Sequence, residues 1–268
     1  MTGPVLLVGC GKMGAAMLEG WLAGSMLAAG AHLVEPNAAA VAGFRDRKGV
    51  ACHARIEDLP ADLAPEIVVL AVKPQTMAAV LPPLARFKAA TFLSIAAGKR
   101  IAGLSAGLGG AAIVRSMPNT PAAVGRGMTV AVAGPGVTEA ARRRCDELMS
   151  AVGEVAWVED ERLIDPVTAV SGGGPAYFFL LIEALAAAGV KAGLPADHAM
   201  RLARVTVSGS GELARLSPEP AATLRQNVTS PGGTTLEALK VLMAEDGIQP
   251  VFDRAIAAAT RRAGELGE

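Results

Sequence analysis

An excess of charge of either sign is missing from this sequence. Its 25 lysine and arginine residues are matched by 25 aspartate and glutamate residues, so the formal net charge is zero. A chain without a basic excess has no electrostatic footprint for nucleic acid or for an anionic membrane. We therefore expect neither nucleic acid nor a membrane among its partners.

Cysteine and histidine are scarce, with three residues of each. Cys10, Cys52 and Cys145 are unevenly spaced, and no CxxC pair or Cys/His cluster has the spacing of a metal site. An odd number of scattered cysteines is typical of reduced thiols in a cytosolic protein. We expect a cytoplasmic protein with reduced thiols and no bound metal.

Long hydrophobic runs are also missing. The apolar start at Pro4 breaks at Gly9 and Lys12 and lacks a basic leader and a small-residue cleavage site, so it predicts a strand and not a signal peptide. The longest apolar stretch, 176–190, contains Glu183 and is shorter than a bilayer requires.

Aromatic residues make up only 3% of the chain, whereas Ala, Gly, Leu and Val are abundant. This composition suits helices packed closely on a parallel sheet. Short apolar runs predict buried strands at 5–8, 32–35, 67–72, 91–95, 112–115, 128–132 and 154–158. Apolar residues at helical spacing lie between some of them, as in 12–24 and 138–152. The alternation predicts an α/β fold with a doubly wound parallel sheet.

The segment Gly9-Cys-Gly-Lys-Met-Gly14 matches the pattern GxGxxG, follows the first strand and opens a helix. In that context the pattern predicts a Rossmann domain that binds a dinucleotide. Gly9 permits the tight turn, Gly11 lets the backbone approach a pyrophosphate, and Gly14 lets the helix pack on the strand. The helix amino terminus offers N–H groups and partial positive charge to the anion.

The pattern of the chain changes after about Asp165. The glycine-rich break Ser171–Pro175 is followed only by helical patterns, at 176–189, 195–213, 234–244 and 249–266. We therefore predict a Rossmann domain over residues 1–164 and an all-helical domain over 165–268.

Glu35 ends the second strand about twenty residues after the glycine loop. An acid at this place accepts hydrogen bonds from the adenosine ribose and disfavours a 2′-phosphate, which argues for NADH. A solvated strand-end acid is the alternative. Arg45 and Arg47 lie downstream and would serve the 2′-phosphate of NADPH if that cofactor is used.

Three further segments lie where strands end. Lys73-Pro74 reaches either the cofactor phosphates or only solvent. The small residues of Ser94–Gly98 either leave room for a nicotinamide or permit close helix packing. In Arg115–Pro121, two prolines bracket Asn119 and Thr120 and fix a rigid polar turn, which either carries function or is purely structural.

Thr229–Thr235 leads into a predicted helix, and Thr234 with Glu237 fits a capping box. The helix start is either a carboxylate site or a plain cap. No positioned acid other than Lys73 stands in these motifs, although hydride transfer to C=O normally needs one. A C=N substrate can arrive protonated, so the protein mainly positions and orients it.

Taken in order, GCGKMG, AVKP, RSMPNTP, VSGGGPAY and TSPGGTTLEAL resemble pyrroline-5-carboxylate reductase over nearly the whole chain. The resemblance implies the last step of proline biosynthesis, in which NADPH or NADH reduces 1-pyrroline-5-carboxylate to L-proline. It also implies that the helical domain binds substrate and interleaves with a partner's to form a homodimer, and that dimers assemble into a decamer in some members.

The resemblance also assigns residues. For the substrate carboxylate it indicates Ser230, Gly233 and Thr234, with Val228 nearby, and it gives the catalytic contact to the ring nitrogen to Thr235. For the dinucleotide it indicates Gly9, Cys10, Gly11, Lys12, Met13, Gly14, Glu35, Pro36, Asn37, Val72, Lys73, Pro74, Ala96, Ala97 and Gly98, with Asn227 near the nicotinamide. His53 stands where many relatives carry an asparagine near the adenosine. Many relatives have Ser, Asn or Arg where this chain has Glu35-Pro36-Asn37, which again favours NADH.

Two other hypotheses are open. A 3-hydroxyacid dehydrogenase of the 6-phosphogluconate dehydrogenase type shares the architecture but needs a catalytic lysine on an early helix of the second domain. Lys191 lies instead in a glycine-rich turn. A dinucleotide-sensing protein without activity would keep the glycine loop but would not need Thr235 or the polar turn.

Overall fold

A computed structural model of the chain describes residues 3–267. Its eight strands are β1 (Val5–Val8), β2 (Ala31–Val34), β3 (Val50–His53), β4 (Ile67–Leu70), β5 (Thr91–Ser94), β6 (Ile113–Met117), β7 (Gly127–Ala133) and β8 (Gly153–Trp157). The α-helices are α1 (Lys12–Ala23), α2 (Ala38–Val41), α3 (Met77–Leu84), α4 (Ile101–Gly107), α5 (Glu139–Ser150), α6 (Ile164–Val167), α7 (Gly174–Lys191), α8 (Ala196–Leu216), α9 (Ala221–Asn227), α10 (Thr234–Leu242) and α11 (Ile248–Gly267). Short 3₁₀ turns cover Ile56–Asp58, Pro74–Thr76, Thr120–Val124 and Glu161–Leu163, and a π turn covers Thr168–Gly172.

The strands form a single sheet in the order β3-β2-β1-β4-β5-β6-β7-β8. Strand order reverses between β1 and β4, which pair in parallel from Val5 with Ile67 to Val8 with Leu70. The carboxyl ends of these two strands therefore flank the switch point, where open α/β sheets bind ligands. This confirms the predicted α/β Rossmann fold.

One strand departs from the predicted parallel arrangement. β7 runs antiparallel to β6, with Ser116 opposite Ala131, whereas every other neighbouring pair is parallel. Only residues 118–126 connect β6 to β7, and a parallel return needs a crossover of about a dozen residues or more. The short connection therefore turns the chain back along β6.

The sheet is covered on both faces by apolar side chains. One cluster gathers around Leu6, Val68 and Phe92, and the other around Leu7, Trp21 and Leu93. Alternate residues of each strand thus enter opposite layers, as expected for a sheet buried on both sides. This packing holds the strand ends, and the loops that leave them, in fixed positions.

The chain divides into two compact units. The first extends to Gly172 and also takes in the segment from Ala259 onward, and the second is Gly173–Ala258. This division lies beyond the predicted boundary at residue 164 because residues 165–172 stay with the first unit, where Asp165 pairs with Arg115 of β6. The end of α11 also returns to the first unit, where Ala263 is buried.

The second unit is helical, as predicted, with α9 as an additional helix. Its buried apolar residues are Ala186, Ala199 and Ala203, while many large apolar side chains on α7 and α8 are exposed. The helical stretch Glu161–Lys191, longer than the predicted segment 176–190, is long and apolar enough to cross a membrane by length and composition alone.

Candidate functional site

The glycine loop connects β1 to α1, and its glycines meet different surroundings. Gly9 has φ +101°, and a Cβ there would lie 2.7 Å from the carbonyl oxygen of Ala71 on the neighbouring strand. A Cβ on Gly14 would collide with the carbonyl oxygen of Gly9. A Cβ on Gly11 would meet no protein atom within 4 Å. Packing therefore requires glycine at the first and third positions, whereas the protein's own atoms leave space beside the second.

Glu35 lies directly after β2 and reaches the glycine loop. Its Oε2 accepts a hydrogen bond from the backbone N–H of Cys10 at 2.8 Å, and its Oε1 accepts one from the N–H of Asn37 at 2.9 Å. Charge-assisted bonds to N–H groups are stronger than neutral ones. The carboxylate is therefore held beside the loop, at the edge where the predicted dinucleotide would lie.

A cleft of about 530 Å³ opens at the switch point. Six predicted cofactor residues line it, namely Gly9, Gly11, Glu35, Pro36, Val72 and Lys73. Sequence reasoning missed Ala54, Arg55, Ile56 and Glu57, which also line the cleft. These four residues follow β3, a strand that was not predicted. A prediction of β3 would have indicated them, because they come directly after its carboxyl end.

The other predicted residues of the loop do not line the cleft. Cys10 is buried and its thiol points to the carbonyl of Ala40 at 3.5 Å, and burial raises the pKa of this thiol to about 11. Lys12 is exposed at the first position of α1. Met13 packs against the core cluster on the α1 face of the sheet. Asn37 caps α2 by accepting from the N–H of Ala39 at 3.1 Å.

His53 is directed to another histidine. Its Nε2 lies 3.0 Å from Nδ1 of His32 on β2, with the rings stacked at a centroid distance of 5.2 Å. Burial, and then the neighbouring His53, lower the pKa of His32. His53 also lines a second depression of about 520 Å³, together with Glu35, Pro36 and Arg45.

The loop after β5 holds the last cofactor segment predicted in this unit. Ala96 is buried and its N–H donates to Oγ of Ser94 at 3.3 Å, while Ala97 and Gly98 are half-buried. Pro74 begins the 3₁₀ turn that follows β4. Both segments leave strands of the parallel part of the sheet.

The polar turn after β6 is held by Asn119. Its side-chain amide donates to the carbonyl and to Oγ of Ser171 at 3.3 and 3.2 Å, and its Oδ1 accepts from the N–H of Met128 at 2.9 Å. Thr120 begins a 3₁₀ turn and is exposed. Arg115, at the start of the motif, is buried. The amide of Asn119 therefore joins the turn to the glycine-rich segment near residue 171.

The predicted substrate residues lie around the start of α10 in the helical unit. Val228, Ser230, Thr234 and Thr235 are exposed and Gly233 is half-buried. The predicted capping box is wrong, because Gly233 is the N-cap in an extended conformation and no side chain caps the helix. Glu237 accepts instead from Lys240 at 2.7 Å. Two hydroxyls and the first turn of α10 are thus presented at the surface of this unit.

Asn227 is the last residue of α9, and its amide donates to Glu219 at 3.2 Å. Lys191, which the dehydrogenase hypothesis needs on a helix face, is exposed at the last position of α7. Within residues 3–267, no group of three or more His, Cys, Asp or Glu side chains is arranged to hold a metal ion.

A Rossmann sheet with a glycine loop at its switch point defines the class of dinucleotide-dependent oxidoreductases. Residues 4–98 match the family model of NADP oxidoreductases described as coenzyme F420-dependent. Residues 161–266 match the pyrroline-5-carboxylate reductase dimerisation model. The helical unit, which leaves large apolar side chains exposed, is therefore a self-association domain.

Whole-chain relatives agree with both matches. Pyrroline-5-carboxylate reductase from Pseudomonas aeruginosa is 39% identical over 270 residues, covering 100% of this chain and 98% of its own length. The solved structure of a pyrroline-5-carboxylate reductase from Coxiella burnetii matches with a TM-score of 0.91 at 33% identity, covering all of both chains. The Plasmodium falciparum pyrroline carboxylate reductase with NADP bound matches with a TM-score of 0.80 at 28% identity, covering 99% of this chain and 98% of its own.

This chain belongs to the pyrroline-5-carboxylate reductase family. Members are oxidoreductases that reduce 1-pyrroline-5-carboxylate to proline with a nicotinamide cofactor. The predicted family, enzyme class and reaction are therefore confirmed, and the dehydrogenase and sensor hypotheses are set aside.

Proposed function

We propose that this chain reduces 1-pyrroline-5-carboxylate to L-proline with NADH, bound in the cleft between the ends of β1 and β4. The observation that carries the choice of cofactor is the Glu35 carboxylate, held 2.8 Å from the N–H of Cys10. A carboxylate at the end of the second strand accepts from ribose hydroxyls and repels a 2′-phosphate. The six predicted cofactor residues that line the cleft form the main contact set of this proposal.

The glycine loop fits a pyrophosphate. The space beside Gly11 is what a phosphate needs to approach the backbone, and α1 begins one residue later. Lys73, exposed after β4, lines the same cleft and supplies a cation there. The nicotinamide supplies the hydride when it is bound, and the loop Ala96–Gly98 receives its ring in this proposal.

NADPH is the alternative cofactor, and two observations bear on it. A relative contains NADP, and Arg45 lines the depression that also contains Glu35. Arg47 pairs with Glu19 at 3.7 Å instead. The pairing leaves Arg45 as the candidate for a 2′-phosphate contact.

The helical unit supplies the substrate site in this proposal. The first turn of α10, with Ser230, Gly233 and Thr234, binds the carboxylate through N–H groups and hydroxyls, and Val228 packs beside it. The hydroxyl of Thr235 hydrogen-bonds the ring nitrogen, and Asn227 approaches the nicotinamide. Reduction adds a hydride to the C=N carbon and leaves the pair of electrons of the broken π bond on nitrogen, which carries the proton of the iminium.

The functional assembly is a homodimer at least, in which the partner's helical domain completes each site, and the decamer is a larger assembly of the same dimers. The exposed apolar side chains of α7 and α8 support burial against a second copy. Three free thiols support the proposed cytoplasmic location.

The cofactor proposal is tested by measuring kcat/KM with NADH and with NADPH on the purified protein. We expect NADH to be preferred, and Glu35→Ser to reduce that preference by about tenfold, as the loss of one charged contact worth about 1.4 kcal/mol would. A wild-type preference for NADPH would refute the choice of cofactor. Arg45→Ala would then be expected to remove that preference.

The glycine loop offers a test with a matched control. Gly11→Ala places a methyl group where no protein atom lies, so the variant should fold normally but bind the dinucleotide poorly. Gly43→Ala also adds a methyl group to open space, away from the loop, and should bind normally. Equal cofactor affinity in both variants would remove Gly11 from the phosphate site.

The role of Thr235 is tested by comparing Thr235→Val with Thr235→Ser. The valine variant keeps the shape but loses the hydroxyl, so kcat should fall by about tenfold to a hundredfold, while the serine variant should retain most of the rate. Equal rates in the two variants would remove the hydroxyl from the reaction.

A further inference from the structure

We infer that a buried ion network and the last turn of α11 together hold the loop Ala96–Gly98 in the geometry that the cofactor requires, with Arg100 as the positioning residue that joins them. The inference rests on the proposed function in one respect, since it takes this loop to receive the nicotinamide. No part of the network touches the cofactor in this proposal.

The network is centred on Arg115 of β6, whose side chain is 2% exposed. Its Nη1 lies 2.9 Å from Oε1 of Glu161, and its Nη2 lies 3.5 Å from Oδ1 of Asp165. The other carboxylate oxygen of Asp165 lies 3.0 Å from Nη2 of Arg100. Two guanidinium groups and two carboxylates therefore balance in charge, which buried ions require.

The network is attached directly to the end of the loop. Oε1 of Glu161 also accepts a hydrogen bond from the N–H of Ile101 at 2.8 Å, at the first position of α4. Arg100 precedes Ile101, and Gly98 lies two residues earlier. At the other end of the loop, the N–H of Ile95 donates to the carbonyl of Leu70 at 3.2 Å in the sheet. The loop is thus fixed by β-sheet bonds on one side and by the ion network on the other.

The last turn of α11 packs on the same loop. Gly98 has φ +66°, and a Cβ there would lie 2.9 Å from both the Cβ and the carbonyl oxygen of Leu266. A Cβ on Gly267 would lie 3.0 Å from Nε of Arg100. The carboxyl end of a helix carries partial negative charge, which favours a guanidinium beside it. Arg100 therefore lies between Asp165 and the end of α11.

The two arginines have different roles in this arrangement. Arg115 contacts both carboxylates and is almost fully buried, so it maintains the fold. Arg100 is about one-third exposed and, among the carboxylates of residues 3–267, contacts only Asp165. Loss of Arg100 should therefore leave the core intact while it frees both the loop and the helix end. A loop displaced by about 1 Å is enough to reduce function by orders of magnitude when it positions a reacting group.

The test compares Arg100→Met and Arg100→Lys with the control Arg143→Met. Arg143 is an exposed arginine on α5 that pairs with Glu139 at 3.4 Å, far along the chain from the loop. For each protein, the Kd of NADH is measured by fluorescence titration, KM is measured for NADH and for 1-pyrroline-5-carboxylate, and Tm is recorded.

We expect Arg100→Met to raise the Kd and KM of NADH by about tenfold, with little change in Tm or in the KM of the imine. Arg100→Lys should recover most of the affinity, and the Arg143 variant should match the wild type. A purely structural role would lower Tm and leave the Kd of NADH unchanged, and this result would overturn the inference.

Leu266→Gly provides a second test in case Arg100→Met fails to fold. It removes the Cβ of Leu266 that packs on Gly98 and leaves the ion network intact, and it should also weaken NADH binding. Unchanged binding in this variant would count against the inference. A wild-type protein that binds no dinucleotide would refute the proposed function and this inference together, whereas normal wild-type binding with unaffected variants refutes this inference alone.

Discussion

Removal of the charge of Arg115 should lower the stability of the Rossmann unit by an amount that the contacts allow us to bound. Arg115→Met keeps the length of the side chain but leaves Glu161 and Asp165 without their shared partner. Breaking a buried ion pair by removal of one member costs about 3–5 kcal/mol. The side chains of Glu161 and Asp165 keep 25% and 12% exposure, and Asp165 keeps Arg100.

These contacts place the expected loss at the lower end, about 3 kcal/mol. For a unit of this size, that corresponds to a decrease of about 6–12 °C in Tm. The assay is tryptophan fluorescence during urea unfolding. Both tryptophans, Trp21 and Trp157, lie in the Rossmann unit, and Trp21 is fully buried with its Nε1 bonded to the carbonyl of Leu148 at 2.8 Å. The signal therefore reports this unit and not the helical one.

A matched triple variant separates charge from packing. Arg115→Met combined with Glu161→Gln and Asp165→Asn removes the uncompensated carboxylates, so it should be more stable than the single variant. A loss below about 1 kcal/mol in the single variant, or a triple variant that is less stable than the single one, would refute the reasoning about buried charge.

Three further outcomes follow from burial and titration. In the folded protein at about pH 8, a thiol reagent should modify half-exposed Cys52 first, because Cys10 and Cys145 are buried. Burial raises the pKa of all three thiols, to about 11 for Cys10 and about 12 for Cys145. Early modification of either buried thiol, detected by mass spectrometry, would contradict this. Burial and a neighbouring histidine lower the pKa of His32 from 6.5, so as the pH falls the unfolded state binds a proton first. The stability that this group contributes is complete above pH 6.5 and decreases as the pH falls below that value. His32→Gln should therefore make the urea midpoint depend less on pH below 6.5. An unchanged pH dependence would show that His32 does not contribute to it. Val205→Lys, on an exposed apolar position of α8, should shift the protein toward the monomer in sedimentation, and an unchanged assembly would place this position outside the interface.

Local signals carried most of the Rossmann prediction. The strand 5–8 is a continuous apolar run. Gly9 and Gly14, which follow it, are glycines because a Cβ there would collide with the adjacent strand or with the loop itself. Glu35 was also singled out from position alone, since an acid at the end of the second strand is typical of dinucleotide-binding domains. Its bonds to Cys10 and Asn37 fit the predicted place beside the loop.

Two features that depend on backbone geometry were predicted incorrectly or missed. β3 reads Val-Ala-Cys-His, a short mixed pattern, and it forms a strand because it pairs with β2 at the edge of the sheet. Because β3 was not predicted, residues 54–57 were not recognised as part of the cleft. The capping box at Thr234 and Glu237 had the correct sequence but failed because Gly233 takes the extended N-cap conformation. In both cases, neighbouring backbone geometry decided the outcome.

Arg115 is a residue whose partners could not be predicted from the local sequence. In the sequence it begins a motif with two prolines and Asn119, and that context indicated a polar turn at the sheet edge. The partners of Arg115 lie 46 and 50 residues further along the chain, so no local pattern connects them. The contact with Asp165 also keeps residues 165–172 in the Rossmann unit, beyond the predicted boundary at residue 164.

The helical unit raises a different problem, because its helices were predicted well although they bury little within the chain. Helical periodicity places Phe178, Leu181 and Leu185 on α7, yet each remains at least 40% exposed. A helix that is hydrophobic around most of its surface is normally covered by protein or lipid. The match of residues 161–266 to a dimerisation model favours protein. We therefore expect the exposed apolar side chains of α7 to be buried against a second copy of the chain.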